Sequence, residues 1–532
     1  MDTKALRQKI LDLAIRGKLV PQDPNDEPAE VLLERIREQK QQMLKEGKLK
    51  KKDIKNDTII FKGEDNLHYE KFQDGTVKCI EDEIPFEVPE GWCWARVRDI
   101  AMVKGGKRLP KGASFSEEIT THAYIRVTDM KNHSVNISNL RYISDEIFLA
   151  IKNYTIAKDD LYVTIAGTIG VVGEIPDKLD GMNLTENAVK ITNIAINKSF
   201  LCIILQTDFV QQQFQDKTHQ VAMPKLALER ILSTLIPICP YVQQLQIVDR
   251  FQVCDNFLST IDTEKEELQK IVSLGKSKIL DLAIRGKLVP QDLNDEPASV
   301  LIERIRAEKE ELIKQGKIKR NKKESVIFKG DDNSYYLRTE SKAIEITNEL
   351  PYKIPDSWEW AKIGDIFQVN PRNKIEDLLE VSFIPMPLID DGFSGKHTSE
   401  ERVWRKVKSG FTHFMEGDIG IAKITPCFEN RKSVVFRNLK NGYGAGTTEL
   451  HILRPYAATI LPEYVLAYVK SSMFISKGKQ EFTGAVGQQR IGKDYLENSY
   501  FPIPPLEEQV RIVEQISTVY KQLNMISDAS LV

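Results

Sequence analysis

The chain has 532 residues, 41% hydrophobic and 29% charged, so it should fold as a soluble globular protein of three or four domains. Lysine plus arginine number 75 against 77 acidic residues, and a net charge of −2 excludes a surface that is basic throughout, so any nucleic-acid contact must rest on local patches. Six scattered cysteines without a C-x-x-C pair exclude a cysteine zinc site and a disulfide framework; with no signal-peptide core in MDTKALRQK and no run near about 18 apolar residues, a cytoplasmic chain with reduced thiols is expected.

The N-terminal segment, residues 1–55, reads as helical, with Leu6, Ile10 and Leu13 on one face. Within it lies the most informative stretch of the chain. Residues Lys9–Arg37 return almost unchanged at Lys278–Arg306, differing only at Pro24/Leu293, Glu30/Ser299 and Leu33/Ile302. A repeat this long and this far apart is a duplicated domain pair, not a solenoid unit. Basic runs follow in both copies, at Lys45–Lys55 and Lys314–Lys323. These runs are expected to serve affinity through phosphate contact or assembly, or else to be solvated helix-end tails. IIFKGEDN at Ile59 pairs with VIFKGDDN at Val326, and EIPFEVPEGWCWARVRDI at Glu83 with ELPYKIPDSWEWAKIGDI at Glu349.

The domain of residues 56–240 then diverges from its counterpart over about 100–235. Its loop Val103–Gly112 carries Lys104, Lys107, Arg108 and Lys111 among glycines that let backbone and cations approach phosphates. Leu161–Ile175 is a β-branched run broken by glycines, Ala188–Thr192 continues as strand, and Phe209–Gln215 turns helical. The loop Thr218–Leu226 closes it and carries Lys225.

Residues 241–324 open with a proline-free stretch whose apolar residues Ile261, Leu268, Val272, Ile279 and Leu282 step at heptad spacing. A helix from about Gln244 to Ile284 would be on the order of 60 Å long. The domain 325–505 contains the second divergent insert, about 366–500, with strands at Asp418–Pro426, Lys432–Phe436 and Glu449–Leu453 and a helix at Pro462–Gly478. Its loops Val369–Lys374 and Thr483–Leu496 match those of the first insert in place and carry Asn370, Arg372 and Lys374, then Gln488, Gln489, Arg490 and Lys493. Arginine can pair with guanine O6 and N7, and glutamine with adenine N6 and N7. Matched places with different chemistry are what two readers of two half-sites would show.

Residues 506–532 repeat the first part of the central helix, with Val513, Ile516, Tyr520 and Leu523 at helical spacing, while the N-terminus repeats its second part. The repeat is therefore circularly permuted. The simplest fold lays both terminal helices against the central one, related by a pseudo-two-fold axis.

No catalytic motif is found. A Walker A pattern fails at Gly275-Lys276-Ser277, because Lys270 stands where the first glycine would be. Asn370-Pro371-Arg372 only approaches the N/D-P-P-Y/F motif of amino-methyltransferases, and the seven histidines make no paired ligand spacing. His413 and His451 read as ordinary polar or core residues. No metal site and no catalytic residue are expected.

Taken with LAIRGKLVPQD…EP…LLERIR, the IP…WxWxxxxDI opening of each insert and PIPPLEEQVRIVEQI at Pro502–Ile516, the chain resembles the specificity (S) subunit of type I restriction–modification systems over nearly its whole length. The resemblance implies an α+β fold of two α/β target-recognition domains joined by long antiparallel coiled-coil helices. It implies that each domain reads one half of an asymmetric, bipartite site in double-stranded DNA. It also implies docking of two modification subunits, with restriction subunits added to the assembly. S-adenosylmethionine, ATP and Mg would belong to those partners, with no cofactor on this chain. Ile261, Leu268, Val272, Val513, Ile516 and Tyr520 are the candidate docking residues. Two other readings stand beside this one: a coiled-coil scaffold whose inserts bind protein partners, and an enzyme of an unrecognised kind.

Overall fold

Glycine closes the same helix twice. In the computed structural model the helix Thr3–Ile15 ends at Gly17 (φ +65°) and the long helix Tyr241–Ala283 at Gly286 (φ +64°). In each case the next amide reaches back to a leucine carbonyl, Lys18 to Leu13 (2.8 Å) and Lys287 to Leu282 (3.0 Å). A Cβ at Gly17 would strike Pro89 and Trp92, and one at Gly286 would strike Pro355 and Trp358. The near-identical sequence thus specifies a left-handed stop pressed onto the tryptophan-bearing strand that opens each insert.

The structure describes residues 1–215, 225–320, 324–339, 342–456, 458–485 and 487–531. They form two compact units, Met1–Glu264 and Lys265–Val532, and the long helix contributes to both. Within the first unit the N-terminal helix runs antiparallel to the beginning of the long helix. Thr3 Oγ1 donates to Asp262 (2.6 Å), Arg7 Nε to Asp255 (2.5 Å), and Gln22 shares the Trp92 indole N–H with Gln243 (3.0 and 2.8 Å). Within the second unit the helix Leu506–Leu531 runs antiparallel to the other end. Tyr520 Oη donates to the Lys276 carbonyl (3.0 Å), Gln291 to Glu508 (2.5 Å), and Arg511 grips Asp295 through both terminal nitrogens (3.1 and 2.6 Å). The pairing expected from the permuted repeat is present, one terminal helix to each half.

The inserts share no recognisable sequence, yet they share a topology. In the first unit one antiparallel sheet has the order Val172–Glu174, Leu161–Thr164, Ala188–Thr192, Met102–Gly105. The second unit repeats it with Ser433–Val435, Ile419–Ala422, Leu450–Pro455, Phe367–Val369. A second sheet runs Thr155–Ile156, Met182–Leu184, His122–Ile125, Arg141–Ile143, its middle pair parallel. Its counterpart is Thr412–Met415, Tyr443–Gly446, Glu380–Ile384, Glu400–Val403, again with the middle pair parallel. In each unit the strand bearing the buried tryptophan also pairs with the strand that leaves the insert, Trp94 opposite Pro237 and Trp360 opposite Pro502. The insert therefore begins and ends on one two-stranded ribbon.

The helices cover the first sheet. Lys198–Leu205 is apolar nearly all round and buries Phe200, Leu201, Ile204 and Leu205 completely against Val189 and Ile191. The helix expected at Pro462–Gly478 is two, Pro462–Val469 and Ser472–Gln480, because the Ser471 hydroxyl accepts from Phe474 N and starts a new helix.

The apolar stripe of the long helix is turned inward. Val272 is 6% exposed, Ile261 and Leu268 are half-buried, and Val513 and Ile516 pack on the second unit's core. The Tyr520 ring meets Phe393 at 5.9 Å. Of the six candidate docking residues, Val272 is thus buried by the chain's own packing and the other five are half-buried. A heptad stripe in water is satisfied first by its intramolecular neighbour. The apolar residues that stay exposed are others, among them Val253, Phe257, Ile271 and Leu274.

Candidate nucleic-acid interface

Backbone hydrogen bonds lace the loops at one end of the first sheet together, and they do so alike in both units. In the first unit Gly106 N donates to Ala188 O (3.1 Å), Lys107 N to Leu184 O (2.9 Å), Ile165 N to Asn187 O (2.8 Å) and Leu226 N to Ile165 O (2.9 Å). In the second, Asn370 N donates to Ile452 O (2.8 Å), Lys423 N to Glu449 O (3.0 Å) and Ile491 N to Lys423 O (2.9 Å). Glycine is required at residue 106, where a Cβ would collide with the Thr185 carbonyl. The lacing makes Lys225 and Arg490 equivalent: each immediately precedes the residue, Leu226 or Ile491, that bonds the neighbouring strand's loop.

In the first unit one nominated cation, Arg108, pairs with a carboxylate, Glu186, and a second, Lys225, bonds the same residue's backbone. Arg108 Nε lies 3.2 Å from Glu186, and Lys225 Nζ donates to the Glu186 carbonyl (3.3 Å). Lys107 holds its Nζ 5.5 Å from the Tyr154 ring centroid, and its carbonyl accepts from Tyr124 Oη (2.8 Å). Burial, aided by Glu186, pushes the Tyr124 phenol up to about 12, so it remains a donor. Lys104 lies on the strand Met102–Gly105 opposite Lys190, and both Lys104 and Lys111 are exposed. Residues 218–224 of the expected loop Thr218–Leu226 lie outside the described residues.

The second unit treats its candidates differently. Asn370 adopts φ +56° and its amide works inside the fold: Oδ1 accepts from Ile452 N (2.9 Å) and Nδ2 meets His451 Nδ1 (3.2 Å). These bonds hold the loop in shape. His451, 5% exposed, also meets the Ile491 carbonyl through Nε2 (3.2 Å) and so ties the two nominated loops together. Burial lowers its pKa, which keeps it neutral and suited to bridging. Arg372 donates to the Phe411 carbonyl (2.9 Å), while Lys374 is exposed beside Asp377 and Lys408 on the rim of a cavity of about 620 Å³. Arg490 forms a two-point pair with Glu449 (2.8 and 3.0 Å), and that guanidinium holds the Glu449 carboxyl below the usual range. Lys493 pairs with Glu497 (2.7 Å), Gln488 is exposed, and the Gln489 carbonyl accepts from Thr425 N (2.9 Å).

Glu186, Glu449, Tyr124 and Tyr154 were missed from sequence. The available signal was positional: an acid within two residues of the strands at Ala188 and Leu450. Lys50, Lys51 and Lys52 are exposed, as are Lys317 and Lys319, while Lys322 and Lys323 lie outside the described residues. Among the described residues no group of three His, Cys, Asp or Glu side chains is placed to hold a metal ion. No helix among them is long and apolar enough to cross a membrane.

A family model for the type I restriction modification DNA specificity domain matches residues 89–271 and 355–529, two stretches that contain both loop clusters. The chain is 44% identical over 292 residues to the type I restriction enzyme EcoAI specificity subunit of Escherichia coli, covering 54% of this chain and 46% of that protein. It is 45% identical over 254 residues to the EcoEI specificity subunit of Escherichia coli, covering 48% and 40% respectively. The chain thus spans less than half the length of each of these relatives. A chain from a solved structure on complex assembly and conformational transition of the type I R-M system aligns at TM-score 0.47 and 15% identity, over 84% of this chain and 94% of that one.

Proposed function

Because this chain belongs to the type I restriction modification DNA specificity family, we propose that it is the sequence-reading subunit of a type I restriction–modification complex. The observation that carries this reading is the doubled loop platform: one backbone lacing built twice, with different polar side chains on each copy. Each unit reads one half of a bipartite, asymmetric site in double-stranded DNA. Exposed cations such as Lys104, Lys111 and Lys374 supply salt-dependent, sequence-blind attraction to phosphates. Polar side chains at the loops supply choice, at roughly 1–3 kcal/mol for each good bidentate contact with a base edge.

The chain itself performs no chemistry in this reading. Two modification subunits dock on it and methylate adenine with S-adenosylmethionine, which requires the base to leave the stack and the duplex to distort. Restriction subunits add ATP- and Mg-dependent translocation and cleavage. The segmentation into spine pieces 1–55, 241–324 and 506–532 and recognition domains 56–240 and 325–505 belongs to the same proposal. It places docking on the helical pieces and reading on the inserts.

The test is an exchange. Replacing residues 366–500 by a foreign insert in the complete system, followed by methylation mapping of cellular DNA, should change one half of the methylated site and leave the other intact. Arg490→Ala should relax the same half alone, by roughly 1–3 kcal/mol. A change in both halves, or methylation at a single contiguous site in the wild type, would refute the two-reader assignment.

A further inference from the structure

Arg490 has five N–H donors, and the structure engages three of them. Nε and Nη2 donate to Glu449 (2.8 and 3.0 Å) and Nη1 to the Gln488 carbonyl (2.9 Å). One donor is left on each terminal nitrogen, and arginine N–H groups of this kind pair with guanine O6 and N7. The Arg490 side chain is 41% exposed and that of Glu449 25%, so the guanidinium is held at the surface with donors to spare. A fork already held has less rotamer freedom to lose on binding. Glu449 also cancels the charge that would draw Arg490 to any phosphate, whatever the sequence.

The first unit has a looser counterpart. Glu186 stands two residues before the strand Ala188–Thr192, whereas Glu449 stands one residue before the strand Leu450–Pro455, on the equivalent turn. Glu186 reaches Arg108 through a single contact of 3.2 Å, and the Arg108 side chain is 76% exposed. Two inserts of unlike sequence have each placed a carboxylate on this turn and set it against a loop cation, Arg108 from the loop after the strand Met102–Gly105 and Arg490 from the loop before Ile491. Neither pair is needed to satisfy a buried charge, since all of these groups reach solvent.

Resting on the reading of the chain as a DNA-recognition subunit, we propose that Glu449, and more weakly Glu186, are positioning residues for sequence choice. Each orients a loop cation toward base edges of duplex DNA and withholds it from sequence-blind phosphate attraction.

The experiment uses the full chain co-expressed with the modification subunits. Two probes are needed: a library of duplexes with randomised central bases, sequenced after selection, and one fixed duplex of arbitrary sequence titrated over a range of salt. In Glu449→Gln, enrichment of the preferred base at one position should fall about tenfold, in one half of the motif only. Binding to the fixed duplex should tighten, with its log–log salt slope steeper by about 0.9. Glu449→Asp keeps the charge but shortens the arm, so the slope should stay at the wild-type value while enrichment falls. This variant carries the test if the glutamine variant does not fold. Glu186→Gln should produce a smaller loss in the other half. If the wild type enriches a two-part motif and Glu449→Gln matches it in enrichment and slope, the inference alone is overturned. If the wild type enriches no motif, the reading of the chain as a DNA-recognition subunit falls, and the inference with it.

Discussion

The loop platform of the first unit and that of the second hang from the same backbone bonds but hold their cations differently. In the first, Lys104 and Lys111 are exposed, Lys107 lies over a tyrosine ring, and Arg108 touches its carboxylate once. In the second, Asn370 and Arg372 are bonded into the fold and Arg490 is gripped at two points. Backbone geometry and side-chain chemistry are thus separable in this molecule. Strand order needs only that small or apolar residues face the core, while the loop side chains face solvent and are free to differ. A surface of that kind can change what it touches without changing how it stands.

The same contrast runs below the loops. An aspartate precedes the central strand in both units and holds a cation from the adjacent strand. Asp418 binds Arg454 through two contacts (2.9 and 2.7 Å), with side chains 2% and 17% exposed, whereas Asp160 reaches Lys190 at 3.2 Å. Asp418→Ala leaves a mostly buried guanidinium without its carboxylate, with only Asn373 Oδ1 (3.0 Å) still accepting from it, and should destabilise the second unit by about 3 kcal/mol. Asp160→Ala should cost less, because the flexible lysine can turn toward water. Urea denaturation of each variant measures both, and equal costs would break the view that the second platform is the more tightly tied.

A smaller difference should depend on pH. The helix Lys198–Leu205 closes on Gln206, while Pro462–Val469 closes on Lys470, 2% exposed, whose Nζ donates to the carbonyls of Gly392 (2.6 Å) and Arg431 (2.9 Å). Burial, reinforced by nearby Arg431, lowers the Lys470 ammonium from 10.5 to about 7. The folded unit therefore binds fewer protons than the unfolded chain between those values. Its contribution to stability is complete above the unfolded pKa and is lost as pH falls through about 7. The urea midpoint should rise from pH 7 to pH 9 by an amount on the order of 2 kcal/mol, and Lys470→Gln, which copies the first unit, should flatten that rise. An unchanged slope in the variant would show that Lys470 is not its source.

The smallest effect should sharpen the likeness between the units. Trp94 and Trp360 are 2% and 1% exposed, and among the described residues neither indole N–H has a hydrogen-bond partner. Trp92 and Trp358 donate to Gln243 and Glu508, both at 2.8 Å. Trp358→Phe should therefore cost about 1 kcal/mol more than Trp360→Phe, since only the former leaves a buried acceptor unpaired. The same order should hold for Trp92 and Trp94. Thermal denaturation of the four variants tests whether duplicated scaffold positions keep duplicated energetics.

How much of this was legible in sequence follows from the range of the interactions involved. The helix stops at Gly17 and Gly286 are local, and near-identical text repeated them. The strands Ala188–Thr192 and Leu450–Pro455 were legible because β-branched and aliphatic residues dominate them, Val189, Ile191 and Thr192 in one and Leu450, Ile452 and Leu453 in the other. The second sheet was not, because strands such as Thr155–Ile156 and Met182–Leu184 are two or three residues long and show no period. The heptad stripe was visible, but periodicity shows that a stripe is buried and not against what, so that the burial of Val272 by the chain's own packing could not be read from it. At the loops, Arg490 and Lys225 could be nominated by type. Their carboxylates could not, because Glu449 lies 41 residues from Arg490 and Glu186 lies 78 from Arg108.

The sequence by itself determined the duplication, its circular permutation, the helices with their glycine stops, and the family, because each of these is written in contiguous residues or in their repetition. Only the tertiary structure decided that two unlike inserts fold to one strand order. It alone decided which terminal helix pairs with which half of the long one, and which cations are held and which are left exposed. Those outcomes depend on backbone and side-chain partners brought together across tens to hundreds of residues. A hydrogen bond or an ion pair has no sequence signature until the fold supplies its second half.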